Sequence, residues 1–237
     1  MRRLIAVTAL ALGLIYGCAQ GAMWQFDRYQ VRHANNELIR TNTTLTNIKE
    51  SDLEKLPSPE LAWRTIVISG NFLPDKQILI RNRYHEGNYG FGVLTLFESA
   101  QGKRYWVDRG WVIAGKDAMT PPTIQPVTSE IVEIKSYVRI ENLESQIRGS
   151  VFALPGKNAS QLERWNKDQE VATEPFFFDL ISSSNAALTP AVPTALPELS
   201  DGPHLAYSFQ WVLFIFLVIF AWYLVIREDR RNQSTKL

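Results

Sequence analysis

The sequence predicts a membrane-anchored, mainly β protein of α+β class: two transmembrane helices flank a roughly six-stranded antiparallel, β-rich extracytoplasmic domain. Three observations predict it. An uncharged apolar run lies at each end of the chain, short alternating segments bounded by turn formers succeed one another between them, and a proline-rich stretch leads from the last segment to the second run.

The first run, Leu4 to Met23, carries no charge and one strongly polar side chain, Gln20. About 20 residues suffice for a helix to cross the hydrocarbon. The second, Leu205 to Ile226, is more hydrophobic and places Trp211, Trp222 and Tyr223 toward its ends, where amphipathic rings favour the interface. Arg227, Arg230, Arg231 and Lys236 follow it, whereas Pro190 to Pro203 offers only Glu198 and Asp201. Basic flanks stay in the cytoplasm. Both termini are therefore expected inside, with Arg2 and Arg3 agreeing and Arg28 and Arg32 weakening the local bias. The expected organisation is a first span over residues 4–23, an extracytoplasmic domain over 24–203, a second span over 204–226 and a cytoplasmic tail over 227–237. No Arg- and Ser-rich transit peptide precedes the first span, which points to a bacterial plasma membrane. A rival view of the N-terminus is a lipoprotein signal ending at Cys18; against it, Tyr16 is bulky for such a site and the apolar run continues past the cysteine.

After the first span, Trp24 to Arg40 contains neither proline nor glycine and should continue as helix, with Trp24, Arg28 and Arg32 at i, i+4 and i+8. An indole at the headgroups with arginines reaching phosphate would account for this spacing as an interfacial anchor. Thr41 to Glu60 reads as a loop with one helical turn. Strands are expected over Arg64 to Phe72 and Lys76 to Tyr84, paired as a hairpin across Pro74-Asp75. A second hairpin joins Phe91 to Phe97 with Arg104 to Ile113. Ile131 to Ile140 alternates as a fifth strand, Ser160 to Asp168 suits a short helix presenting Leu162 and Trp165, and Pro175 to Ile181 closes the set. Ser182 to Pro203 is a linker rich in small residues and proline.

Composition excludes several functions. With 25 basic and 24 acidic residues and a net charge of +1, the electrostatic footprint of a nucleic-acid binder is missing. Cys18 is the sole cysteine, so an internal disulfide, a CxxC pair and a CxxCH haem attachment are ruled out. The three histidines, His33, His85 and His204, are too dispersed for a zinc motif. No Ser-His-Asp order, paired carboxylates or phosphate loop supports an enzyme.

Four segments in order carry more. They are Trp24-Gln25-x-x-Arg28 after the first span, the Gly-containing strand Ile66 to Phe72, Gly90 to Thr95 leading to Val107-Asp108-Arg109-Gly110-Trp111-Val112, and Gly202-Pro203-His204-Leu205-x-Tyr207-x-x-Gln210-Trp211. Together they resemble the Surfeit locus protein 1 family of cytochrome c oxidase assembly factors. Two positions depart from the family pattern, which usually has Asn at Asp108 and often a glycine near Ser136.

The resemblance implies a chaperone of the respiratory chain that holds haem a and assists its insertion into oxidase subunit I, with His204 as the proposed metal ligand and a haem a synthase as a further candidate partner. The residues add their own argument. In a helix beginning near His204, Tyr207, Ser208 and Trp211 follow at i+3, i+4 and i+7 beside an imidazole able to ligate haem iron. Arg28 and Arg32 match propionate geometry, and Trp24 joins them at the same boundary. Two other functions stay open at this point: a membrane scaffold that binds nascent oxidase subunits without haem, and an extracytoplasmic lipoprotein binding module. In the Val107 to Val112 motif, Gly110 is expected to permit close backbone approach or a bulge.

Overall fold

A computed structural model describes residues 2–116, 120–140 and 160–234. Lys236 lies outside them. The chain forms two compact units, one of residues 1–36 with 199–237, the other of residues 37–198.

The first unit pairs most of helix α1 (Arg2–Thr44) with the last helix, His204–Ser234. Both helices are long and apolar enough to cross a membrane. Leu10, Leu12, Phe209, Phe216 and Phe220 all point outward, the pattern of helices whose side chains meet an apolar medium. The two pack where side chains are small. A Cβ on Gly21 would sit 2.8 Å from the Trp211 indole, and Ser208 Oγ donates to the Ala22 carbonyl at 3.0 Å. Small residues let helix backbones approach, and a hydroxyl bonded across the seam holds them there. Further along, Trp222 Nε1 donates to Thr8 Oγ1 at 3.1 Å. Cys18 is buried inside the unbroken run of α1.

The second unit is a closed five-stranded barrel: β1 (Thr65–His85), β2 (Asn88–Ser99), β3 (Arg104–Ile113), β4 (Val132–Arg139) and β5 (Phe177–Ser183), in the order β1-β2-β3-β5-β4. Two expectations are corrected. The residues expected to form two strands across Pro74-Asp75 make one long strand: Leu73 pairs with Leu96 and Gln77 with Thr95, so Pro74, Asp75 and Lys76 loop out while the ladder continues. Proline cannot donate to a ladder, but a bulge absorbs it without reversing the chain. The reversal comes later, at Glu86 and Gly87, whose φ values of 48° and 80° form the tight two-residue turn that suits strand twist. The barrel is also not wholly antiparallel, because β5 runs parallel to β3 through Trp106↔Phe177 and Asp108↔Asp179.

Alternation decides the core. Ile66, Ile68 and Phe72 of β1 and Val132, Ile134 and Val138 of β4 are all buried, with Ile68 paired to Ile134, and Tyr105 stacks on Phe178 at 4.6 Å. β2 and β3 are buried on both faces, since a short helix, α3 (Gln161–Gln169), covers Leu94, Leu96, Trp106 and Phe177 with Leu162 and Trp165. Its start is set by the reciprocal Ser160 and Glu163 cap. A 3-10 turn (Glu50–Asp52) and a single helical turn, α2 (Ser58–Leu61), connect α1 to β1, and the last helix is α4.

The stretch expected to be a simple linker is partly built into the barrel. Ala186–Leu188 forms a 3-10 turn, Leu188 is buried, and Val192 accepts a hydrogen bond from Trp111 N–H at 2.9 Å.

Candidate functional site

Within the helical unit, side chains converge where α1 meets the turn that opens α4. His204 Nδ1 lies 2.9 Å from Gln25 Oε1. An amide oxygen only accepts, so a neutral ring carries its proton on Nδ1 and its lone pair on Nε2. A fixed partner on one ring nitrogen orients the imidazole and leaves the other free to ligate.

The turn before His204 is tied to α1 by three bonds. Arg32 Nε donates to the Ser200 carbonyl at 2.6 Å, His33 Nδ1 meets Asp201 Oδ2 at 2.9 Å, and Asn36 Nδ2 donates to Asp201 Oδ1 at 2.7 Å. Gly202, at φ 67°, makes the turn possible, and a Cβ there would lie within 4 Å of both the Arg32 guanidinium and His204 Cδ2. Arg32 and His204 are thus brought to the same small space.

Other predicted residues are placed differently. Arg28 lies over the Trp24 ring at 5.7 Å, forming a separate pair on the helix surface. Successive steps of four residues drift around a helix by about 40° each, so Arg32 sits about 80° away from Trp24. Tyr207 is 46% exposed and Trp24 45% exposed, while the Trp211 ring is occupied in covering Gly21. An imidazole with a free Nε2, a guanidinium beside it and exposed aromatic rings nearby are chemically suited to a planar, carboxylate-bearing metal macrocycle.

The Val107 to Val112 motif forms a second site in the barrel. Gly92 pairs with Trp111 but Leu94 with Asp108, so β3 carries one extra residue, and Gly110 takes φ 90° in that bulge. Asp108, 1% exposed, accepts from Arg83 Nη2 at 2.8 Å through one oxygen and from the Gly110 N–H at 2.9 Å through the other. An ionised partner at Arg83 explains why an aspartate serves at this position. Ser136, the other departure from the family pattern, is fully buried, and among the described residues its hydroxyl has no hydrogen-bond partner. A glycine would fill that place without the cost of a buried polar atom.

The SURF1 family model matches residues 12–216, which includes the whole barrel, most of α1 and the first part of α4. The chain belongs to the SURF1 family. That family is generally linked to oxidase assembly. Similar proteins include uncharacterized SURF1-like proteins of Mycobacterium bovis and Mycobacterium tuberculosis, each 26% identical over 243 residues, covering 97% of this chain and 87% of the relative.

In this SURF1-family chain the sequence singles out His204 and Arg32 but gives no role to Gln25, His33, Asn36 or Asp201. One signal was present: Gln25, Arg32 and Asn36 recur at helical spacing on α1. Their partners are more than 160 residues away, and no local pattern announces such pairs.

Proposed function

We propose that the chain is a two-pass membrane protein that serves assembly of a haem-copper cytochrome c oxidase, receiving haem a at His204 and assisting its insertion into subunit I. The observation that carries this reading is the His204–Gln25 bond, which engages Nδ1 and leaves the other ring nitrogen to ligate. Haem a is cargo here. The chain's own residues bind and release it: His204 supplies the axial nitrogen, Arg32 beside Gly202 offers its guanidinium to a propionate, and Arg28 with Trp24 offers a second cation at the same boundary. A single imidazole ligand suits temporary holding. Membrane insertion is supported by the outward apolar side chains of both helices, and the basic residues after Ile226 favour a cytoplasmic C-terminus with the barrel on the opposite side of a bacterial plasma membrane. Subunit I is the proposed recipient and a haem a synthase the proposed donor.

The test is the absorption spectrum of detergent-purified protein from haem a-producing cells. A haem a band that His204→Ala removes and Arg28→Ala weakens, with both variants still in the membrane, is expected. Equal loading of parent and His204→Ala refutes the assignment.

A second reading has its own support. Arg32, His33 and Asn36 are engaged with Ser200 and Asp201, and Trp211 with Gly21, so the neighbourhood of His204 also serves helix packing. This suits a scaffold that binds nascent subunits without haem. Co-purification of subunit I with parent and His204→Ala alike, without a haem band in either, would favour it. Mass spectrometry of the mature N-terminus tests the lipoprotein alternative, since acylation at Cys18 requires cleavage within α1.

A further inference from the structure

The barrel holds a buried cation that its fold does not neutralise. Arg109 is only 8% exposed, yet among the described residues no carboxylate pairs with it; the neighbouring Asp108 is committed to Arg83. Its Nη2 donates to the Gln125 carbonyl at 2.7 Å, its Nη1 reaches Gln77 Oε1 only at 3.5 Å, and its face lies 5.7 Å from the Phe72 ring. Nε is buried with no acceptor among the described residues. Burial lowers the Arg109 pKa to about 10, so the group stays cationic at neutral pH at a desolvation cost.

Arg109 lines a cleft of about 300 Å³. Trp111, Val112, Ile124, Leu188 and Pro190 supply its apolar lining. The volume is at the small end of ligand sites, and the lining mixes apolar side chains with polar ones, Thr123, Gln125 and Thr189 beside Arg109, the kind of combination by which such sites fix orientation. The Arg109-Gly110-Trp111 motif builds this cleft as a unit. Gly110 admits the strap, since a Cβ there would lie 2.2 Å from the Val192 carbonyl oxygen and 2.9 Å from Pro190 Cβ. Trp111 then holds the Pro190–Val192 stretch through its backbone N–H on the Val192 carbonyl.

We propose that this cleft binds a small organic carboxylate with an apolar body, its anionic head on the Arg109 guanidinium and its hydrocarbon part between Trp111 and the Leu188–Pro190 strap. A carboxylate supplies the charge and the acceptor that the buried Arg109 side chain otherwise has to forgo. The site is independent of the His204 region, so it stands or falls separately from haem binding.

The test is ligand-observed saturation-transfer NMR on the full-length protein in nanodiscs, titrating 3-phenylpropionate against its neutral amide, 3-phenylpropanamide. Saturable binding of the carboxylate, weakened at least about tenfold for the amide and for Arg109→Gln, is expected, since a charge-assisted hydrogen bond is worth that much. Should Arg109→Gln not fold, Ala191→Trp serves: Ala191 is exposed on the rim, and an indole there should block the cleft without touching the core. Equal binding of acid and amide, undiminished binding by Ala191→Trp, or no saturable binding at millimolar ligand overturns the proposal.

Discussion

Gly110→Ala is the substitution on which the barrel's architecture can be tested most directly. The residue has φ 90°, so a methyl group strains the backbone by about 1–2 kcal/mol before any neighbour is considered. The added Cβ would also stand 2.2 Å from the Val192 carbonyl oxygen, far inside contact distance, and the strap must move away. Moving it breaks the Trp111 N–H to Val192 bond, worth about 1 kcal/mol. The sum is about 2–3 kcal/mol. For a protein of this size that corresponds to a fall in Tm of about 4–12 °C. The assay is thermal unfolding of the nanodisc-embedded protein followed by near-UV circular dichroism, combined with hydrogen exchange at the Trp111 amide. A loss of stability together with faster exchange at Trp111 is expected. A parent-like Tm with an unchanged Trp111 protection factor would refute the view that glycine is required for the strap to dock.

Four other outcomes follow from the geometry. Asp108→Asn keeps an acceptor for the Gly110 N–H but loses the ion pair with the one-third exposed Arg83, so about 1 kcal/mol should be lost, and a double-mutant cycle with Arg83→Met should recover most of it as coupling. Ser136→Ala removes a buried, unbonded hydroxyl and should leave stability unchanged or raise it by about 1 kcal/mol in urea unfolding. Gln25→Leu should weaken haem a retention about 10–100-fold by releasing the imidazole, while Gln25→Glu, which restores an acceptor, should retain the absorption band. Tyr105 donates to the buried Glu50 at 3.0 Å, and burial, with the Glu50 charge second, pushes its phenol up from the ordinary value. The unfolded chain therefore releases this proton first: the stability Tyr105 contributes is complete below about pH 10 and is lost as pH rises past it. In Tyr105→Phe the alkaline slope of the unfolding midpoint should flatten.

Strand positions were readable because alternation and turn chemistry act locally. β3 was expected over Arg104 to Ile113 and occupies those residues, and the helix after Ser160 starts at its capping box. Pro74-Asp75 misled because proline marks a break in the ladder without specifying whether the chain turns or merely bulges; the pairing of Gln77 with Thr95 decides that, and it is a tertiary property. The parallel placement of β5 was illegible for the same reason, as Phe177 and Phe178 fit a buried strand of either direction. In the helical unit, His204 and Arg32 stood out by residue type. Gln25 did not, since an amide on a helix is unremarkable until the residue opposite it is known. The charge of Asp108 looked like a simple departure from pattern, and only Arg83, on a strand other than its own, gives it a reason.

The lateral contact between β3 and β5 has a consequence for biogenesis. A nascent chain that has produced β1 to β4 still has two unpaired strand edges, and it must wait for Phe177 to Ser183 before the cylinder can seal. Pairings so distant along the chain form slowly, and open edges invite contact with other polypeptides meanwhile. Any premature stop ahead of Phe177 therefore yields an adhesive, unsealed sheet, a species that quality-control proteases should remove.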